Sequence, residues 1–175
     1  KISYINEIAN LCEKTGVDIE NVSLGMGLDK RIGGRFLRAG PAFGGSCFPK
    51  DTKAITVTGD LYHTNLSIIK SVIKSNAKRR TMLTDRVKTI LSNKLNNKKI
   101  AVLGVTFKPN TDDMRQSTSL LMIPFLIKGG AKVNYYDPSG EKKEFSKLKN
   151  VSFYQNVREA CNDADLIIIH TEWDE

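Results

Sequence analysis

The chain has 175 residues, 40% of them hydrophobic, which is typical of one ordinary globular domain or two small ones. No apolar run approaches the roughly 18 residues that a membrane span needs, and the N-terminus lacks the pattern of a secretory signal, so we expect a soluble protein without membrane contact. All of the net charge of +8 comes from residues 1–97, where 16 Lys and Arg stand against 8 Asp and Glu, since residues 98–175 carry 11 of each sign.

The beginning of the chain is predicted to form two helices. Apolar residues recur at helical spacing over residues 1–15, and Gly16 is expected to end this helix in the left-handed conformation. Asp18 is a suitable N-cap for a second, short helix that runs through Gly27, because its carboxylate can accept hydrogen bonds from the next backbone N–H groups.

A loop and two further helices are predicted to follow. Five glycines and a proline between residues 33 and 45 are too many for a regular element and indicate a shaped loop. Pro49 fits the first turn of a helix that ends at Gly59. One apolar face then continues over residues 66–91, which predicts a long helix that serves as a spine or a dimer contact, with Lys78 to Arg80 on a solvated face.

The second half of the chain alternates between short apolar runs and helical patterns. This alternation predicts a parallel α/β sheet with crossover helices, which begins near residue 98. We therefore expect a helical domain over residues 1–97 and an α/β domain over residues 98–175. The predicted strands are 100–105, 133–136, 151–154 and 166–169, and the predicted helices are 117–127 and 156–162 with Asn156 as the cap of the second.

Three cysteines, without CxxC spacing and with only two histidines in the chain, indicate neither a disulfide framework nor a zinc site. We therefore expect no metal and a reducing, cytoplasmic location. Cys12 and Cys161 fall on the apolar faces of predicted helices and are interpreted as core residues. His170 follows a predicted strand without other histidines nearby and is interpreted as structural.

The segment from Gly44 to Asp51 has the strongest chemical signal. Cys47 precedes Pro49 and Lys50, so the end of a helix and a lysine would both favour the thiolate, which is the nucleophilic form of cysteine. Asp51 is placed to orient a lysine or a water near the sulfur. The alternative is that Cys47 is a small buried hydrophobe, as most free cysteines are.

Several segments in order along the chain resemble the signatures of the UDP-glucose dehydrogenases, in the UDP-glucose/GDP-mannose dehydrogenase family. The sequence Ser-Cys-Phe-Pro-Lys-Asp is more similar to the UDP-glucose type than to the UDP-N-acetylmannosamine type, which tends to have a histidine before the cysteine. The match extends over essentially the whole chain. The segments are residues 5–13, 27–33, 36–52, 103–115 and 171–173.

The resemblance implies a helical central domain that dimerises, followed by a Rossmann-like UDP-binding domain with a parallel sheet. It implies an enzyme that uses NAD in a four-electron oxidation of UDP-glucose to UDP-glucuronate and that acts as a homodimer. The chain begins without methionine and stops just after an apolar run, so we expect a fragment that lacks the NAD-binding domain. The family's catalytic lysine and asparagine would precede Lys1, and the fragment alone is therefore expected to be inactive.

The resemblance also assigns roles to individual residues. Cys47 matches the family nucleophile, and Asp51 matches the aspartate that positions the catalytic lysine and water. Lys50 and Arg115 match residues on the NAD side. The residues that match the UDP-sugar site are Arg31, which would reach the partner subunit's site, and Phe36, Leu37, Arg38, Gly44, Phe107 and Lys108.

Other classes of protein remain as alternatives. The chain in isolation fits a non-catalytic module that binds UDP-sugar or dimerises. The basic first half also fits a nucleic acid or a small polyanion, but its cations are scattered and accompany no known nucleic-acid module, so no nucleic acid is expected. A cysteine hydrolase is disfavoured because no histidine lies near Cys47 in the sequence to act as a base.

Overall fold

The first half of the chain is helical in the computed structural model, which describes residues 1–174. Gly16 ends the first helix with φ 73°, and the Asp18 carboxylate accepts a hydrogen bond from the backbone N–H of Glu20, so both predicted helix boundaries are confirmed. The helices are α1 (Ile2–Thr15), α2 (Ile19–Leu28), α3 (Cys47–Leu61) and α4 (Ser67–Ile90).

The third helix begins earlier than the sequence indicates. Cys47 is its first residue, so Pro49 stands at the third helical position, which is within the first turn as predicted. The first N–H groups of a helix have no partner within it, and a proline is therefore tolerated anywhere in the first turn. As a consequence, the cysteine lies within the helix terminus and not before it.

The second half forms one four-stranded sheet in the order β3-β2-β1-β4, and every neighbouring pair is parallel. The predicted α/β architecture with a Rossmann-like parallel sheet is confirmed. Asn156 caps α6 as predicted, through a hydrogen bond from the N–H of Glu159. The elements are β1 (Lys99–Leu103), α5 (Ser119–Lys128), β2 (Lys132–Tyr136), β3 (Val151–Phe153), α6 (Val157–Cys161) and β4 (Leu166–Ile169).

One hydrophobic core joins the sheet to the long helix. Val87 of α4 and Leu95 after it belong to the same buried cluster as Ile100, Val133 and Leu126 of the α/β half. The long helix thus packs on the sheet half as well as on α1 and α3. This contact sets the orientation of the helical half relative to the carboxyl ends of the strands, where ligands of such sheets bind.

Two expectations about the helices are wrong in detail. Arg79 and Arg80 of α4 are not solvated, because both side chains are partly buried and donate hydrogen bonds to other elements. Cys12 is buried as expected, but Cys161 is only half-buried because it lies at the end of the short helix α6. Burial still raises the pKa of the Cys161 thiol.

The strand β1 ends at Leu103, two residues before its predicted end, because Gly104 turns the chain with φ 72°. A Cβ atom at this position would lie 2.5 Å from Cβ of Thr171 and 2.8 Å from its carbonyl oxygen. The close approach of the β1 and β4 ends thus requires glycine at this position.

We expect Gly104→Ala to destabilise the fold by about 3 kcal/mol, from the left-handed backbone and the steric overlap together. Gly16→Ala is the matched control, since Gly16 has φ 73° and a Cβ added there would meet no atom within 4 Å, so only the backbone penalty of about 1 kcal/mol applies. Urea unfolding of both variants measures the difference. Equal losses of unfolding free energy would contradict the proposed overlap with Thr171.

Candidate active site

A cavity of about 810 Å³ lies between the loop that precedes α3 and the carboxyl ends of β1 and β4. The loop and the first turn of α3 supply residues 36 and 38–48 of its wall, α1 supplies residues 2 and 6, and the sheet half supplies residues 107–109 and 169–172. The cavity brings six of the predicted site residues together from both halves of the chain. They are Phe36, Arg38, Gly44, Cys47, Phe107 and Lys108.

Cys47 is exposed in the wall of this cavity. Its position as the first residue of α3 places the sulfur at the positive end of a helix of 15 residues. The sulfur lies 3.7 Å from the hydroxyl oxygen of Ser46. The alternative interpretation of Cys47 as a buried hydrophobe is therefore wrong.

The glycines before Cys47 allow the loop to lie directly on the sheet half. A Cβ atom on Gly44 would lie 2.9 Å from Cβ of Phe107, and one on Gly45 would lie 2.8 Å from the tip of the same ring. The N–H of Gly45 also donates to the carbonyl of Arg115 at 2.7 Å. The two glycines thus form the joint at which the cysteine loop meets the segment that carries Phe107.

Phe107 and Lys108 lie on a loop with several fixed backbone groups. The Asp137 carboxylate, which is buried, accepts from the N–H of Val105 at 2.7 Å, and the Thr106 hydroxyl donates to the carbonyl of Lys108 at 3.0 Å. The ammonium of Lys108 lies 5.5 Å from the centre of the Phe107 ring. The backbone that carries Lys108 is thus fixed, and its ammonium stands beside an aromatic face at the cavity wall.

Three phenylalanines form an aromatic cluster at the cysteine side of the cavity. The ring of Phe48 packs edge-on against Phe36 and Phe43, with centroid distances of 6.4 and 5.9 Å. Phe36 has φ 67°, a left-handed backbone conformation that costs a non-glycine residue roughly 1–3 kcal/mol. Half of the Phe36 side chain remains exposed for contact with a ligand.

Five predicted site residues lie outside the cavity wall. Leu37 is buried, and its carbonyl accepts from the Ser23 hydroxyl at 2.7 Å. The other four make exposed ion pairs, which contribute little to stability. These pairs are Arg31 with Asp29 at 2.6 Å, Lys50 with Asp51 at 2.5 Å, and Arg115 with Asp113 at 2.8 Å.

Lys50 and Arg115 are linked electrostatically to the cysteine. The Asp51 carboxylate chiefly raises the pKa of Lys50, and the negative charge of a Cys47 thiolate raises it further. The pKa of Arg115 is likewise raised, first by Asp113 and to a smaller extent by Cys47. Both cations therefore stay protonated near the sulfur.

Sequence reasoning missed the polar side chains that hold the loop in place. Asn6 of α1 and Asn76 and Arg79 of α4 donate to or accept from the backbone of Gly40 and Phe43. Asparagines inside helices normally point to solvent, and partners more than 30 residues away leave no local pattern. The only available signal was that Asn6 lies on the apolar face of α1, between Ile2 and Ala9.

His170 also lies in the cavity wall, directly after β4. It is buried, and its Nδ1 lies 3.0 Å from the Thr171 hydroxyl, which donates to the carbonyl of Thr106. Because that hydroxyl has a single proton, His170 carries its own proton on Nδ1. Burial lowers the pKa of His170 to about 4, although the Asp137 charge acts in the opposite direction, so the ring is neutral at pH 7. The structural interpretation of His170 fits this burial.

Among residues 1–174, no three His, Cys, Asp or Glu side chains are grouped so that they could hold a metal ion. The helices in this range are also too short or too polar to cross a membrane.

A parallel sheet whose carboxyl ends face a glycine-rich loop and an exposed thiol places the chain among the α/β proteins with a ligand cavity at the strand ends, here with a cysteine in its wall. Comparison with family models identifies the particular family. Residues 1–78 match the central domain of the UDP-glucose/GDP-mannose dehydrogenase family, and residues 101–175 match its UDP binding domain. The chain belongs to this family.

Relatives and solved structures agree with this assignment. The chain is 46% identical to UDP-glucose 6-dehydrogenase of Rickettsia felis over 99% of its own length and 39% of that protein. It is 45% identical to a UDP-glucose 6-dehydrogenase of Bacillus subtilis, again over 99% and 39% of the two chains. A UDP-glucose dehydrogenase structure from Pyrobaculum islandicum is 35% identical, with a TM-score of 0.89 over 98% of this chain and 40% of that one. The chain thus spans about 40% of the length of these relatives.

The burial of His170 predicts a specific loss of stability in acid. Its pKa is about 4 when folded and near 6.5 when unfolded, so the unfolded chain binds the additional proton between these values. The contribution of neutral His170 to the free energy of unfolding is therefore complete above pH 6.5. This free energy falls by about 3 kcal/mol as the pH falls from 6.5 to 4.

Urea unfolding between pH 7 and pH 4 measures this loss. His170→Gln should unfold with a shallower dependence on pH, whereas the exposed His63 provides the matched control, and His63→Gln should retain the wild-type slope. An identical slope in His170→Gln and the wild type would show that His170 is not the titrating group.

Proposed function

We propose that the full-length protein containing this chain oxidises UDP-glucose to UDP-glucuronate with NAD, and that Cys47 is the nucleophile. The observation that carries the proposal is the exposed thiol of Cys47 in one cavity with Phe107 and Lys108. The family and the names of the relatives support a nucleotide-sugar substrate.

The thiol explains how one site can remove four electrons from an alcohol. Loss of a hydride and a proton converts the C6 alcohol of the hexose to an aldehyde. The Cys47 thiolate then adds to that carbon, and the resulting alkoxide takes up a proton to form a thiohemiacetal. Loss of a second hydride, together with the hydroxyl proton, gives a thioester on Cys47. Water attacks the thioester carbon, the C–S bond breaks, and the carboxylate and the thiolate are released.

The remaining cavity residues fit the nucleotide end of such a substrate. Lys108 and Arg38 provide positive charge for a pyrophosphate, although Arg38 is paired with Glu172 at 2.6 Å in this structure. Phe36 and Phe107 offer apolar faces, and the loop around Gly44 brings backbone groups close to a ligand. We assign Leu37 to the same stretch as a support residue and Arg31 to the partner subunit's site.

Lys50 and Arg115 suit an anionic cofactor that approaches from outside the cavity wall. Both are exposed cations near the sulfur, where they complement the charge of a dinucleotide. Two molecules of NAD, bound one after the other, would each accept one hydride. Asp51 would orient the water or a lysine, since its carboxylate already holds the ammonium of Lys50.

We further propose a central domain over residues 1–97, a UDP-binding domain over residues 98–175 and a cytoplasmic homodimer formed by the central domain. Exposed apolar side chains on the helical half support the dimer, among them Leu24, Leu28, Leu61 and Ile68. In this arrangement the 175-residue chain alone would be inactive. A dehydrogenase for another nucleotide sugar, of the UDP-N-acetylmannosamine type, is the second candidate, because structures of that kind share the fold.

Counting NADH per sugar tests the reaction and the substrate together. The full-length protein is expected to release two NADH per UDP-glucose and none at a comparable rate with UDP-N-acetylmannosamine, which absorbance at 340 nm measures. One NADH per sugar would contradict the thioester route. Faster turnover of the N-acetylated sugar would favour the second candidate, and UDP-glucose binding without turnover would favour a non-catalytic module.

Substitution of the thiol tests the nucleophile. We expect Cys47→Ser to lower UDP-glucuronate production by about 1,000-fold or more, because a serine hydroxyl is not ionised at neutral pH and forms no thioester. Cys161→Ser is the matched control, since Cys161 is half-buried at the end of α6, away from the cavity wall, and this variant should keep wild-type turnover. Undiminished production of UDP-glucuronate by Cys47→Ser would refute the assignment.

A further inference from the structure

We propose that Asn76 is a positioning residue, which fixes the ligand-binding loop between Arg38 and Cys47, a role that rests on the proposed dehydrogenase activity. Asn76 lies in the long helix α4 and is only 8% exposed. It stands behind the cavity wall and does not line it. Its effect on the reaction therefore has to pass through the loop.

The amide of Asn76 holds both backbone groups of a single loop residue. The N–H of Phe43 donates to Oδ1 of Asn76 at 2.9 Å, and Nδ2 of Asn76 donates to the carbonyl of Phe43 at 3.0 Å. A primary amide has an acceptor and a donor side by side, so it pairs with Phe43 as a neighbouring strand would. This pair fixes a segment that has no secondary structure of its own.

Gly40, three residues earlier, is held in the same way by two side chains. Its N–H donates to Oδ1 of Asn6 at 2.8 Å, and its carbonyl accepts from Nε of Arg79 at 3.1 Å. All four backbone polar groups of Gly40 and Phe43 are thus bound by side chains of α1 and α4. Of these side chains, Asn6 also lines the cavity, whereas Asn76 and Arg79 do not.

A displacement of Phe43 would reach the reacting sulfur by a short route. The ring of Phe43 packs edge-on against Phe48 with centroids 5.9 Å apart, and Phe48 follows Cys47 in the first turn of α3. On the backbone, Phe43 immediately precedes Gly44, which has no space to shift towards Phe107. Asn76 therefore sets the position of the cavity wall and of the helix end that bears the thiol.

Asn76→Asp distinguishes this role from a general structural one. The ionised carboxylate accepts from the N–H of Phe43 but repels its carbonyl, whereas the protonated carboxyl provides a donor and an acceptor, as the amide does. Burial favours the protonated form, and the Arg79 guanidinium one turn away on the same helix favours the ionised form. The variant can therefore make both hydrogen bonds to the Phe43 backbone only when its carboxyl is protonated.

The measurement is kcat/KM of the full-length enzyme with UDP-glucose and NAD between pH 5.5 and pH 9, relative to the wild type at each pH. We expect Asn76→Asp to be about 10–100-fold slower at the alkaline end, because a buried hydrogen-bonding pair is lost, and to recover as the pH falls. Asn76→Ala should be slower at every pH without recovery. The exposed Lys78 provides the matched control on the same helix, and Lys78→Ala should follow the wild type.

Wild-type kcat/KM of Asn76→Ala, or of Asn76→Asp at the alkaline end, would overturn the role of Asn76. If Asn76→Ala does not fold, the alkaline kcat/KM of Asn76→Asp decides the question alone. Hydrogen exchange at the Phe43 amide gives a readout that does not depend on turnover, and it should be faster in Asn76→Asp at alkaline pH than in the wild type. A wild-type enzyme that does not oxidise UDP-glucose would refute the proposed function. The hydrogen-exchange rate of the Phe43 amide would still test whether Asn76 holds the loop.

Discussion

The close contact between the Gly44–Gly45 backbone and the Phe107 ring is the constraint on which the site depends. A Cβ atom on either glycine would lie less than 3 Å from atoms of Phe107, so no other residue type fits without displacing the loop. The contact joins a loop of the helical half to a loop of the sheet half, and the cavity is the space that remains beside this joint. Because the cysteine follows directly at residue 47, the same joint determines where the sulfur stands relative to Lys108.

The two halves meet in this way because each loop is held rigidly from its own side. On the sheet side, the Asp137 carboxylate and the Thr171 hydroxyl bind the backbone of residues 105 and 106, at the point where β1 ends. On the helical side, Asn6, Asn76 and Arg79 bind the backbone of the loop before α3. An irregular loop near a ligand site must satisfy its backbone polar groups without strands or helices, and buried side chains serve that purpose here.

The buried and the exposed ionisable groups have different roles. Buried ionisable groups are structural, as the neutral His170 and the Asp137 carboxylate show, whereas the cations that suit an anionic ligand stay in solvent on exposed side chains. Such cations bind or steer a ligand at little cost to stability, because their ion pairs are weak in water. The fold therefore separates the groups that hold the loops from the groups proposed to bind the nucleotide.

The sequence alone determined the fold class, the order of elements and the caps at Gly16, Asp18 and Asn156, and it singled out Cys47 as the candidate nucleophile, because periodicity, capping and motif chemistry are local in the chain. It could not show that Cys47 begins the helix, that Arg79 and Arg80 are partly buried, or that Asn76 binds Phe43. The burial of the two arginines and the binding of Phe43 depend on contacts between residues 30 or more positions apart, which arise only when α4 packs against the loop and the sheet. Local patterns predicted which residues are chemically suited to a site, and the tertiary structure decided which of them share one cavity.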